Sequence, residues 1–199
     1  MLKRLIITAL PDEARSFIDR FELKSDENQS DLSVFSNEVC SLLITGIGSG
    51  QVKSVLPLFL ERISNFDNVI LFNIGIAGGH PDKTKIGEVF LVNKVTDDET
   101  VDKYSLTIPA KNEFNTIALT TVAKGITGGH VGYEGLVDME AGIITATAIS
   151  YFNIDKISEI LLGIVSIANS YGNTNSNISQ PKEINRNNNQ RILVYRPNK

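Results

Sequence analysis

Between residues 68 and 79 an apolar run, Val69-Ile70-Leu71-Phe72, passes through Asn73 and Ile74 straight into a glycine-rich turn, Gly75-Ile76-Ala77-Gly78-Gly79. No other stretch constrains the fold as tightly. An apolar run without polar alternation is the pattern of a strand covered on both faces, as in parallel sheets. Glycines directly after it allow a tight turn and let the backbone approach a ligand with no Cβ in the way. Further on, Val137-Asp138-Met139-Glu140-Ala141 is a short apolar run that ends on a carboxylate where a helix opens. A glutamate there can sit at the mouth of an α/β sheet, where small polar ligands bind.

The same theme recurs along the chain. Leu5 to Leu10 is apolar without alternation and stops at Pro11, which suits the first turn of a helix. Asp12 and Glu13 then lie near the positive end of that helix dipole, and Phe17, Ile18 and Phe21 give it an apolar side. Residues 24–31 read as a polar loop, and Leu32 to Phe35 and Val39 to Thr45 as strands. After Gly46-Ile47-Gly48-Ser49-Gly50, the apolar residues Val52, Val55, Leu56, Phe59, Leu60 and Ile63 fall at helical spacing. Pro57 inside that pattern predicts a kink or a late start.

Gly87 to Val95 and Ile117 to Ala123 read as strands, with a charged, aperiodic loop over 96–114 between them. The glycines at 125, 128, 129, 132 and 135 suggest a loop bordering a pocket. Glu140 to Phe152 reads as a helix and Glu159 to Ala168 as a final buried strand. The alternation predicts one α/β domain over residues 1–170, with a central mixed, largely parallel sheet flanked by helices. Residues 171–199 form a polar, asparagine-rich tail in which only Ile192-Leu193-Val194-Tyr195 has the composition of a short edge strand.

Composition narrows the function classes. The net charge of −4 and the lack of a basic face argue against a nucleic-acid partner. No apolar run approaches the ~18 residues of a membrane span, and no signal-peptide pattern opens the chain. Cys40 is the sole cysteine, so no internal disulfide forms; within a strand it reads as a small buried hydrophobe rather than a nucleophile. A cytoplasmic protein is expected. His80 and His130 each follow a Gly-Gly pair without a second ligand at metal spacing, so surface-loop histidines and no metal are expected.

Four segments carry a resemblance. Ala9-Leu10-Pro11-Asp12-Glu13, Gly46-Ile47-Gly48, Gly75-Ile76-Ala77-Gly78-Gly79 with Lys85-Ile86-Gly87-Glu88-Val89, and Val137-Asp138-Met139-Glu140 occur in that order. Together they resemble the nucleoside phosphorylase and nucleosidase superfamily, including methylthioadenosine/S-adenosylhomocysteine nucleosidases and futalosine hydrolases, over roughly residues 3–170. The resemblance implies hydrolysis of the glycosidic bond of a purine nucleoside, including ones modified at the 5′ position. It implies no cofactor and a homodimer.

Residue by residue, the resemblance makes Glu13 the base that activates water, where phosphorylases carry an arginine for phosphate. Glu140 would hold the ribose hydroxyls, Met139 would pack on the sugar, and Asn169 would orient the base. Asparagine at that place is similar to members acting on 6-oxopurines. Gly75, Ile76, Ala77 and Gly78 would shape the pocket floor. Each glutamate also has a purely local reading, as a first-turn helix residue, and Asn169 as a polar strand end. The chain departs from the nucleosidases at Val165, where many carry arginine, and at Ile76, where many carry serine. The asparagine-rich tail also replaces the expected C-terminal helix. A phosphorylase of the same superfamily and a catalytically silent nucleoside-binding homologue are the alternatives.

Overall fold

A computed structural model describes residues 2–26, 31–63, 68–80, 82–126, 132–152 and 169–170. The first sheet contains β1 (Leu2–Thr8), β2 (Lys24–Ser25), β3 (Ser33–Ser36), β4 (Cys40–Ile44) and β5 (Asn68–Asn73), in the spatial order β2-β3-β4-β1-β5. The neighbours β4, β1 and β5 are parallel, whereas β2 and β3 extend the sheet as an antiparallel margin. Helices α1 (Pro11–Phe21) and α2 (Ser49–Arg62) complete this half. The α/β class with mixed, largely parallel pairing is as expected.

Strand β1 explains why its apolar run does not alternate. Leu5 and Ile7 face a core with Leu43, Leu56, Phe59, Leu60 and Leu71, to which α2 contributes. Ile6 points the other way, into a core with Ala14 and Phe17 of α1, Leu42 and Cys40. Both faces are covered, so both must be apolar. Burial pushes the Cys40 thiol up to about 11, which fits a packing role. Helix α2 starts at Ser49 and continues through Pro57 without the late start its sequence suggested. The proline removes the bond to the Lys53 carbonyl, but residue 53 is exposed, so water can satisfy that oxygen.

The remaining described strands form a second sheet rather than extending the first. It contains β6 (Gly78–Gly79), β7 (Phe90–Asp97), β8 (Lys103–Ser105), β9 (Asn115–Thr121), β10 (Leu136–Asp138) and β11 (Asn169–Ser170), in the order β11-β6-β10-β9-β7-β8. Strands β7, β9 and β10 run parallel. The chain crosses between sheets through the glycine turn that follows β5. Helix α3 (Ala141–Tyr151) adds Ile144 and Ala148 to the α2 side of the first core, while its first residue, Ala141, belongs to the core of the second sheet. Strand β7 starts at Phe90 rather than Gly87, because Gly87 takes a positive φ of 85° in a turn. β8 occupies part of the stretch read as a loop. The strand expected over 159–168 and the tail over 171–199 lie outside the described residues.

One glycine fixes the spacing of β9 and β10. A Cβ on Gly135 would overlap the Ala118 carbonyl oxygen and lie 2.9 Å from its carbonyl carbon. Gly135→Ala must therefore push the two backbones apart, and it should destabilise the fold by about 1–3 kcal/mol. The urea midpoint of the variant measures this; a midpoint equal to that of wild type would mean the strands are not this close.

Candidate active site

Because β4, β1 and β5 are parallel, the loops that follow them leave the sheet at the same end. The segment after β10 reaches the same place, where one pocket has Glu13, Asn73, Asp138 and Glu140 as its polar lining. Ala9, Ile74, Gly75 and Ile76 supply the rest. The structure thus brings together Glu13, Glu140, Gly75 and Ile76 of the residues expected from sequence. Asn73 and Asp138 join them, and sequence reasoning had not assigned either one to the site.

Glu13 is more than a solvated first-turn residue. It occupies the third position of α1, after Pro11 at the helix start. Its Oε2 accepts the N–H groups of Ala9 at 2.9 Å and Leu10 at 2.8 Å, closing the helix N-terminus as half of a capping box does. Its Oε1 accepts the N–H of Ile76 at 2.9 Å, across from the turn after β5. A Cβ on Gly75 would come within 3.3 Å of Oε1, so glycine leaves the carboxylate room to reach that turn. The Ile76 side chain is 51% exposed and takes no part in this bond.

Glu140 plays the matching role from the other side. It is the N-cap residue of α3. Its Oε1 accepts the N–H of Gly48 at 2.6 Å and its Oε2 that of Met139 at 3.2 Å. Gly48 has φ 91°, a left-handed conformation that favours glycine. Burial raises the Glu140 carboxyl above the usual range; the bonds from Gly48 and Met139 oppose the shift, and the negative charge of Glu13 adds to it. Met139 packs with Val122, Val137, Ile126 and Tyr133 and lies against Gly48 and Gly125, beside the pocket rather than in its lining.

Asp138 closes the floor. Its Oδ1 accepts the Thr121 hydroxyl at 2.6 Å and its Oδ2 the Ala141 N–H at 2.8 Å. Thr121 Oγ1 in turn accepts the N–H of Gly142 at 2.7 Å, so β9, β10 and the first turn of α3 are joined. Burial pushes the Asp138 carboxyl up to about 7, opposed by the Thr121 bond and reinforced by the charge of Glu140. Asn73 ends β5 and is 6% exposed. It follows Leu71 with period two, so it faces the α2/α3 side of the sheet and meets the pocket from below.

The other expected residues are placed differently. Ala77 is buried in the second core with Phe90 and Leu136, and Gly78 pairs with Val137 of β10. Gly78 also pairs with Asn169, which the structure places through its backbone in β11. Val165 and His130 lie outside the described residues. His80 shapes a turn, its Nδ1 accepting the N–H of Asp82 at 3.2 Å. Among the described residues, no group of three or more His, Cys, Asp or Glu side chains is arranged to hold a metal ion.

Asp138 couples the site to pH. Its folded pKa of about 7 lies above the ordinary value of 3.8, so the folded state binds the proton more tightly. Its contribution to stability is therefore fully present below the lower value and is lost as pH rises through the upper one. Relative to Asp138→Asn, wild type should lose on the order of 2–3 kcal/mol between about pH 5 and about pH 8, at about 1.4 kcal/mol per unit up to about pH 6.5 and less above it. Urea midpoints of both proteins across that range decide it; parallel curves would mean that Asp138 titrates as if in water.

No protein-family model matches the chain, and no curated protein matches it in sequence. Solved structures do. The apo 5′-methylthioadenosine nucleosidase of Arabidopsis thaliana is similar with a TM-score of 0.68 at 15% identity, over 85% of this chain and 82% of that one. The 5′-methylthioadenosine/S-adenosylhomocysteine nucleosidase of S. pneumoniae, with the transition-state inhibitor MT-ImmA, gives 0.62 at 14% identity, over 83% of each chain. The MTAN of Chlamydia trachomatis bound to adenine gives 0.60 at 19% identity, over 84% of this chain and 81% of that one. The chain has the nucleoside phosphorylase/nucleosidase fold that these enzymes share.

Proposed function

We propose that the protein is a purine nucleosidase, hydrolysing the bond between ribose C1′ and the base nitrogen. The observation that carries this reading is the convergence of Glu13 and Glu140 on one pocket whose lining, among the described residues, includes no lysine or arginine. A phosphorylase must hold a phosphate anion, and carboxylates at close range repel it. Water is the nucleophile such a pocket accepts.

Lone-pair arithmetic separates the two roles. An ionised carboxylate offers roughly four acceptor sites. Glu140 has one bond on each oxygen, which leaves an acceptor on each for the 2′- and 3′-hydroxyls. Glu13 has two bonds on Oε2 and one on Oε1, which leaves a single acceptor on Oε1 for one water proton. As C1′ gains positive character, both carboxylates stabilise it. Met139 borders the sugar. On this reading Asn169 orients the base, since an amide can donate to O6 or N7 of a 6-oxopurine. The similar solved structures, one with adenine and one with a transition-state inhibitor, support a purine nucleoside as the ligand class.

Two substitutions test the assignment. Glu13→Gln should lower base release by ~10²–10⁴-fold while the variant still binds nucleoside. The assay is release of free base from inosine, adenosine and 5′-methylthioadenosine, with and without phosphate; base released by wild type only with phosphate would make it a phosphorylase. Glu140→Gln should weaken nucleoside binding by about 1.5–3 kcal/mol, because an amide loses one acceptor and the charge. Calorimetric titration reads this, and unchanged affinity in a folded variant would remove Glu140 from the ribose site.

A further inference from the structure

Asn73 is a buried side chain whose hydrogen-bonding capacity the fold does not use. It is 6% exposed, yet its carboxamide makes no hydrogen bond to any described residue, and it lines the pocket. Among the described residues the only fully buried polar side-chain atom without a partner is Thr8 Oγ1, so the Asn73 amide meets the open pocket rather than a sealed interior. Strand β5 would lose nothing in pairing if residue 73 were apolar, since the ladder to β1 uses only its backbone.

The pocket has a matching need. A water that attacks C1′ must direct one lone pair at carbon, give its protons to acceptors, and take a hydrogen bond on its other lone pair. Acceptors are plentiful and donors are scarce. The N–H groups of Ala9, Leu10 and Ile76 are engaged by Glu13 and that of Ile74 by the Ile7 carbonyl, which leaves the Gly75 N–H as the backbone donor of the lining. Asp138 directs one oxygen at Thr121 and the other at Ala141. Ile76 brings no side-chain donor. Both Asp138 oxygens being engaged, Asn73 is the uncharged amide of the lining among the described residues.

We propose that the Asn73 carboxamide binds the attacking water, donating to its oxygen while Glu13 accepts one of its protons. The inference rests on the nucleosidase reading. In the step, the water oxygen bonds to C1′ as the C1′–N bond breaks and its electron pair leaves with the base. One water proton passes to Glu13, the departing base takes a proton from solvent, and Glu13 then returns its proton to solvent, so nucleoside and water become ribose and free base.

The test compares wild type, Asn73→Leu and Asn73→Asp by steady-state base release without phosphate, alongside thermal unfolding. Leucine matches the volume and removes donor and acceptor; aspartate keeps only acceptors. Both variants should lose about 10²-fold or more in kcat, in the range seen for removing one oriented donor, with KM changed less than about threefold. Asn73→Leu should melt close to wild type, because it removes a pocket-facing amide that no described residue bonds. Wild-type activity with kcat retained in either variant overturns the role of Asn73 and leaves the nucleosidase reading standing. A kcat loss accompanied by a lower melting temperature in both variants makes Asn73 structural and also overturns it. Wild type that releases no base from any of the three nucleosides overturns both readings.

Discussion

Two carboxylates that capture backbone N–H groups hold together the end of the sheet where the pocket lies. Glu13 takes three, from the loop after β1 and the turn after β5; Glu140 takes two, from the glycine turn after β4 and from its own loop. Hydrogen bonds to a charged acceptor contribute about 1.5–3 kcal/mol each, enough to order short loops whose backbone amides would otherwise face water. Gly48 and Gly75 allow it, one by its positive φ and the other by the space above its Cα. The groups suited to chemistry are therefore also the groups that shape the site. Their orientation is set before any ligand arrives, which is what electrostatic preorganisation requires.

That arrangement concentrates negative charge. Glu13, Asp138 and Glu140 line one pocket, and each added carboxylate raises the cost of ionising the next. The strain is graded rather than shared equally. Asp138, bonded inward to Thr121 and the α3 N-terminus, takes the largest shift and carries a proton near neutrality. Glu140 shifts upward less, because two N–H groups stabilise its charge. On the proposed nucleosidase reading, a sugar that becomes cationic as its base departs would relieve the repulsion, so the field of the empty pocket would favour the transition state over the neutral ground state.

Much of this was legible in the residues, for identifiable reasons. Strands β1 and β5 show as apolar runs because both their faces are buried, and α2 shows because its apolar residues keep helical spacing. Glu13 follows a helix-starting proline, and Glu140 stands where a strand becomes a helix. The short strands β2 and β8 left no trace, since their residues are mostly exposed and carry no apolar period. β6 is a pair of glycines, which reads as a turn in any sequence. Ala77 and Gly78 belong to the motif yet serve the second sheet, so a motif marks a backbone path rather than a list of ligand contacts. Asn73 did carry a signal, a polar residue ending an apolar strand. No pattern reveals whether such an amide finds a partner, because that depends on the residues brought near it by the other strands.

Residue 76 shows how main chain and side chain can diverge in function. Its N–H anchors Glu13 whatever side chain it carries, so the turn keeps its shape with isoleucine in place of serine. The side chain, half exposed and apolar, adds no donor to the pocket. Losing a hydroxyl at such a position removes chemistry without removing structure, and the fold gives no sign of it. The opposite holds for Asn73, whose amide faces the pocket and does nothing for the strand it ends. Local rules broken without a structural return cluster at functional sites. On that physical ground, and on the proposed reading, residues 73 and 76 bear on the same problem: how a pocket walled by acceptors would hold a water molecule still.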